Sequence, residues 1–200
     1  TDPWSDELVS AWRAEGVDCG LALRHPDRGA GVYGISVASG GERSFTYWRD
    51  NSAARAFFDC PGAEEACARA ARAEVLLVSG ISFAVVAGVG RERVIALAQA
   101  VRAAGGRVAF DPNYRARLWP SIDAYREAVT AFAPLVDLAL PSFDDEALVW
   151  GDPRAEDCLA RWRGYGVSEA VVKNGARGAL TVDGFVPAVT VSDVVDTTGA

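Results

Sequence analysis

Arg107-Val108-Ala109-Phe110-Asp111 is a run of strand length, apolar through its middle, that ends against Pro112. Just upstream, Arg91–Ala104 sets Val94, Leu97, Ala98 and Val101 on one helical face, and Gly105-Gly106 supplies a left-handed stop. The same unit recurs on either side. Apolar runs of strand length stand at Glu74–Ser79, Val136–Leu140 and Glu169–Lys173. Helical segments lie at Ser121–Ala133 and at Phe143–Trp162, the second interrupted at Gly151-Asp152-Pro153. Ser142, with Asp145 three positions on, reads as a capping pair for that last helix. Strand, helix and strand in repetition require right-handed crossovers. The pattern therefore predicts an α/β fold with a mainly parallel central sheet flanked by helices.

The first third differs in kind. An amphipathic helix over Asp6–Glu15 is closed by Gly16, and Val17–Leu23, Val32–Val37 and Arg43–Arg49 then read as short strands, the last two joined by Gly40-Gly41. They predict a small antiparallel β lid within residues 17–50. Strand alternation puts Phe45, Tyr47 and Arg49 on one face, with Tyr33 on the neighbouring strand. Two readings of that face stand side by side: a half-buried hairpin with aromatic cross-strand packing, or a surface that holds a polyhydroxy acid by its rings and grips its carboxylate with a guanidinium.

Composition fits one soluble α/β domain, since half of the 200 residues are hydrophobic and about a quarter are charged. A net charge of −7 and a pI near 4.8 argue against a nucleic-acid footprint, so an anionic ligand must be met by local positive groups. No apolar stretch reaches the length of a membrane span, and Thr1-Asp2-Pro3-Trp4-Ser5-Asp6 lacks the basic start and apolar middle of a signal peptide, which predicts a cytoplasmic protein. Cys19, Cys60, Cys67 and Cys158 form no CxxC pair and read as reduced thiols. His25, the sole histidine, falls in a loop and reads as solvated. The chain has no methionine, which suggests a piece of a longer one.

In open α/β sheets ligands bind beyond the carboxyl ends of the strands. Those ends read Ser79-Gly80, Asp111-Pro112-Asn113-Tyr114-Arg115, Pro141-Ser142 and Lys173-Asn174-Gly175. Turn formation accounts for Pro, Gly and Asn, but not for Asp, Asn and Arg at alternate positions of one loop, nor for Lys ahead of Gly175 and Gly178. The last stretch, Val194-Val195-Asp196-Thr197-Thr198-Gly199-Ala200, fits either the approach to an anion-binding turn at a helix start or an ordinary strand-to-turn exit.

Four of these segments, D-P-N-Y-R-A-R-L-W, P-S-F-D-D-E, V-K-N-G-A-R-G-A and V-V-D-T-T-G-A, resemble in order and spacing the ribokinase-like (PfkB-type) carbohydrate kinases. G-E-R-S-F-T-Y-W-R followed by N-S-A-A, together with D-P-N-Y-R-A-R-L-W, is similar to the kinases of 2-keto-3-deoxygluconate within that family. The resemblance covers nearly the whole chain. It implies an incomplete ribokinase-like domain over 1–200, with the nucleotide-binding α/β part over 70–200.

As to activity, the resemblance implies ATP- and Mg²⁺-dependent phosphoryl transfer to a hydroxyl of a sugar acid. Tyr33, Tyr47 and Arg49 would reach the sugar acid, and Arg115 its carboxylate or the transferring phosphate. Asn113 would lie near the ATP phosphates, and Lys173, Gly175 and Gly178 would border the nucleotide. Ser142 and Asp145 stand where many members carry Asn and Glu in an N-x-x-E motif that organises Mg²⁺ through water; that departure leaves helix capping as an equal account of the pair. Thr197, Gly199 and Ala200 would start the anion hole, and Asp196 would orient the sugar or a monovalent cation. The family's catalytic Asp falls after Ala200, so this polypeptide alone is expected to be inactive. Rival expectations are a fructokinase- or ribokinase-type kinase of a neutral sugar and a non-catalytic sugar- or nucleotide-binding module. A homodimer through the lid and a monomer with a solvated lid are both compatible with the sequence.

Overall fold

The computed structural model describes residues 2–37 and 43–190. It divides into two compact units, one comprising Thr1–Leu76 with Ser82–Gly106 and the other Leu77–Ile81 with the chain from Arg107 onward.

In the first unit, α1 (Pro3–Ala14) starts where the Asp2 side chain accepts from the Ser5 N–H and Pro3 takes the first helical position. It stops before Gly16, whose φ is +81°. The expected strand at Val17–Leu23 does not form. Asp18 instead accepts the Gly20 N–H at 2.8 Å, and Ala22 N–H donates to the Cys19 carbonyl at 3.0 Å, so local turns take the groups that a ladder would need. The lid is therefore two-stranded: β1 (Val32–Val37) pairs antiparallel with β2 (Arg43–Trp48). The Gly40-Gly41 turn lies outside the described residues. The unit also holds α2 (Ala63–Ala70), and α4 (Val89–Ala103) buries Val94, Ala98 and Val101 of the expected face. Gly105, at φ +89°, ends α4, and the Gly106 N–H closes back onto the Val101 carbonyl at 2.9 Å.

The main sheet has the order β3 (Val75–Ser79), β4 (Arg107–Asp111), β5 (Leu138–Ala139), β6 (Glu169–Lys173), β7 (Gly178–Thr181), β8 (Gly184–Pro187). The pairs β4–β5 and β5–β6 are parallel, while β6–β7–β8 continue as an antiparallel meander. The strand expected over Val136–Leu140 shortens to two residues. Its flanks still bond to β4: the Asp137 N–H donates to the Val108 carbonyl and the Leu140 N–H to the Phe110 carbonyl, each at 2.8 Å, while the Asp137 carboxylate accepts the Val108 N–H at 2.8 Å. α3 (Gly80–Val86) follows β3, and α5 (Ile122–Phe132) follows β4. α6 (Phe143–Trp150) and α7 (Ala155–Gly164) are separated at Gly151, which caps α6 with φ +77°.

The core of the second unit is Val108 and Phe110 from β4, Tyr125 and Phe132 from α5, Val149 from α6, Trp162 from α7 and Val172 from β6. Phe110 meets Phe132 edge-on at 5.2 Å. Each such side chain contributes about 1.5–3 kcal/mol through burial, which fixes the sheet and thereby the loops at its carboxyl edge. No helix among the described residues is long and apolar enough to cross a membrane.

Candidate active site

In the second unit the carboxyl ends of β4 and β6 and the start of α6 form one connected cluster. β4 ends at Asp111, and the next residue, Pro112, is buried. Its carbonyl accepts the Tyr125 hydroxyl at 3.2 Å, and a β-carbon built on Gly80 would stand 1.9 Å from the same oxygen. A side chain on Gly80 is therefore excluded by backbone rather than by a movable group. Asn113 follows with φ +36°, a conformation that L residues adopt at a cost and that Asn tolerates better than most.

Arg115 donates from Nη1 to the Tyr114 carbonyl at 2.7 Å and reaches Asp145 Oδ2 at 3.4 Å. Partial burial raises the Asp145 carboxyl above its ordinary range; Arg115 opposes that shift, and the Asp111 and Asp144 charges add to it. The expected capping pair is thereby corrected. Ser142 is the residue before α6, in extended conformation, but its side chain makes no cap hydrogen bond, and the Asp145 carboxylate that would complete the pair is turned to Arg115. Ser142 instead bridges in parallel to Lys173, whose N–H donates to the Pro141 carbonyl at 2.8 Å.

Lys173 Nζ pairs with Asp111 Oδ1 at 3.2 Å. The contacts close a ring: Asp111 leads through Asn113 to Arg115, Arg115 to Asp145, and the first turn of α6 to Ser142, Lys173 and back to Asp111. After β6 the backbone turns over Gly175–Arg177. Gly175 has φ +53° with open space where a β-carbon would project, so a ligand can approach the main chain there. Gly178 serves the fold, since a β-carbon on it would lie 2.1 Å from the Val186 carbonyl.

This donor set suits a phosphate chain carrying a hard cation. A guanidinium and an ammonium each meet a carboxylate in one cluster, so anionic oxygens and a hydrated Mg²⁺ each have a complement.

The first unit carries the other set. Tyr33 lies directly opposite Tyr47 across the lid hairpin, with ring centroids 6.1 Å apart, and Phe45 stacks on Tyr47 at 6.2 Å and 12°. The Arg49 guanidinium sits 4.1 Å above the Tyr47 ring. Tyr33 is 52% exposed and Tyr47 38% exposed, so these rings pack on one another without forming a closed core. The ring contacts are those of aromatic cross-strand packing, on a face that stays partly exposed. Asp196, Thr197, Gly199 and Ala200 lie outside the described residues.

Sequence reasoning missed Tyr125, whose place among Ile122, Val129 and Phe132 on α5 reads as ordinary core. It also missed the two resting ion pairs and the approach of Gly80 to Pro112. The spacing of an interaction 32 residues apart along the chain leaves no local trace.

The whole chain, residues 1–200, matches the family described as pfkB family carbohydrate kinase. It is 38% identical over 207 residues to the 2-dehydro-3-deoxygluconokinase of Dickeya dadantii (strain 3937), covering 100% of this chain and 67% of that protein. The chain thus spans about two thirds of the length of this curated relative. Among solved structures it is similar to the PfkB protein from Polaromonas sp. JS666, with a TM-score of 0.83 and 27% identity over 96% of this chain and 65% of that one. Aminoimidazole riboside kinase from Salmonella enterica, complexed with aminoimidazole riboside and an ATP analog, matches with a TM-score of 0.55 and 32% identity over 62% of this chain and 42% of that one.

Proposed function

The chain belongs to the pfkB family of carbohydrate kinases, and from that premise we propose that the protein it forms part of transfers the γ-phosphoryl group of ATP to a hydroxyl of a sugar acid, 2-keto-3-deoxygluconate. The observation that carries the phosphoryl-transfer reading is the ring of Arg115–Asp145 and Lys173–Asp111 pairs at the carboxyl edge of the sheet. Bound Mg²⁺ supplies charge neutralisation on the phosphate chain. Beyond removal of the hydroxyl proton, the reaction asks chiefly for positioning and electrostatic stabilisation, and these residues supply part of both.

Arg115 and Lys173 exchange their carboxylate partners for phosphate oxygens, and Asn113 offers its amide to the same oxygens. That exchange would free Asp145 and Asp111, and Asp145, three positions after Ser142, would hold the hydrated cation through water. Gly175 lets the nucleotide approach the main chain. We assign Thr197, Gly199 and Ala200 to binding of the transferring phosphate and Asp196 to orienting the sugar or a monovalent cation.

The sugar-acid reading is supported by Arg49, stacked on Tyr47 beside Tyr33, and by the name of the curated relative. A planar cation with two phenols matches a carboxylate flanked by hydroxyls. We place the protein in the cytoplasm, with the lid available for pairing in a homodimer.

The test is ADP release by the full-length protein with Mg-ATP and 2-keto-3-deoxygluconate, fructose, ribose or no sugar. Turnover confined to the keto acid is expected. Turnover with a neutral sugar would keep the kinase and overturn the substrate, while none with any acceptor would favour a binding module.

A further inference from the structure

One residue beyond Asp145, Glu146 points into the protein and is fully buried. Its Oε2 accepts from Arg161 Nη2 and from Trp162 Nε1, the latter at 3.0 Å. Arg161 also holds Asp152 Oδ2 at 2.6 Å, just past the end of α6, and stacks 4.7 Å above the Trp150 ring. From the other side, Arg126 Nε donates to the Val149 carbonyl at 2.9 Å. From Glu146 to Trp150, α6 is therefore held by cations on α5 and α7. Glu146, Asp152 and Cys158 lie close enough to share a metal ion, but the Arg161 guanidinium already fills that position.

As a stabilising device the arrangement is poor. Desolvating a carboxylate and a guanidinium offsets most of their attraction, and apolar residues of similar size would hold two helices together as well or better. Glu146 Oε1 and Arg161 Nη1 even remain buried without a hydrogen-bond partner. What directional hydrogen bonds supply and apolar packing does not is a fixed rotation of α6 about its axis. Asp145 lies on the same helical turn, about 100° around from Glu146. A rotation of roughly 20° at a side-chain radius of about 5–6 Å would move the Asp145 carboxylate by about 2 Å, enough to part it from Arg115.

We propose that Glu146 and Arg161 are positioning residues that set the rotation of α6 and thereby aim Asp145 at Arg115 and at the hydrated cation. The role assigned to the cation rests on the kinase reading above.

The experiment uses the full-length protein and calorimetric ATP binding without sugar, with and without Mg²⁺, alongside melting temperature. Wild type, D145N, E146Q and the double variant D145N/E146Q are compared. E146Q is expected to lose about tenfold of the tightening that Mg²⁺ gives to ATP binding, as outer-shell partners of metal sites do. D145N should lose as much, and the double variant no more than D145N, because Glu146 acts through Asp145. A lowered melting temperature in E146Q with the Mg²⁺ effect intact, or losses that multiply in the double variant, would overturn the proposal. If E146Q does not fold, R161K, which keeps the charge but loses the fork, carries the same comparison. Sugar phosphorylation is read separately: Mg²⁺-assisted ATP binding without turnover in wild type would sink the kinase reading alone, and no Mg²⁺-assisted binding would sink both.

Discussion

The hydroxyl of Tyr125, a fully buried ring on α5, donates to the carbonyl of Pro112 at 3.2 Å, one residue before the strained Asn113. Tyr114 and Trp119 pack on the same ring at 4.7 and 5.2 Å. Burial pushes this phenol far above its usual range, with the Glu146 and Asp145 charges adding to the effect, so it remains a donor throughout the working pH range. Tyr125→Phe keeps the packing and leaves a buried carbonyl unpaired. It should cost about 1–3 kcal/mol in denaturant unfolding, and ATP binding should weaken with it.

Gly80→Ala tests the other side of the same carbonyl. The added carbon would lie 1.9 Å from backbone oxygen, so something must move, and we expect a loss of at least about 3 kcal/mol. Gly164→Ala, at the end of α7 with nothing within 4 Å, is the control and should lose no stability, gaining up to about 1 kcal/mol from helix propensity by the same unfolding measurement.

Lys173→Met separates ligand binding from folding. The Lys173–Asp111 pair is partly solvated, so its loss should change stability by only about 0–1 kcal/mol. A charged hydrogen bond to phosphate has a larger effect, and ATP affinity in calorimetry should fall by roughly 10- to 100-fold. Equal affinity in the variant would remove Lys173 from the nucleotide site.

Arg49→Ala should reduce kcat/KM for a carboxylated sugar by about 100-fold, while kcat/KM for any neutral sugar changes little. Arg49→Lys should recover only part of it, since an ammonium cannot lie flat on Tyr47 or bind a carboxylate through two parallel bonds. Equal losses on both substrate types would count against the sugar acid.

Asp145 gives a pH signature of known sign. Its carboxyl is raised in the folded protein above the ordinary 3.8, so its contribution to stability is fully present below 3.8 and is lost as pH rises through the folded value. Asp145→Asn should lack that decline when melting temperature is followed against pH. Mg²⁺-assisted ATP binding needs the ionised form and should run the opposite way, strengthening over the same interval in wild type alone.

The parallel core of the fold was legible because its strands end at residues that punctuate the chain. Asp111-Pro112 closes β4, and Gly105-Gly106 separates it from the helix before. Alternation likewise predicted the face shared by Tyr33, Phe45, Tyr47 and Arg49; the β1–β2 register bears it out for the three rings, and Arg49, one residue past β2, lies over the Tyr47 ring. Val17–Leu23 failed because an Asx turn at Asp18 competes with a ladder, a choice that apolar content does not reveal. The Ser142–Asp145 pair has the spacing of a cap, but the partner that turns Asp145 away, Arg115, is 30 residues distant in sequence and adjacent only after folding. Tyr125, Glu146 and Arg161 were hidden for the same reason: each is ordinary in its own helix and acts on a group that the fold brings to it.

The guanidinium of Arg49, laid on the Tyr47 ring at 4.1 Å, bears on the entropy of recognition. A free arginine side chain carries about 2 kcal/mol of rotational freedom, which an anion must ordinarily suppress as it binds. Here the Tyr47 ring already restricts much of that freedom, so a carboxylate arriving at Arg49 meets a cation held in one orientation and a larger share of the contact energy appears as affinity.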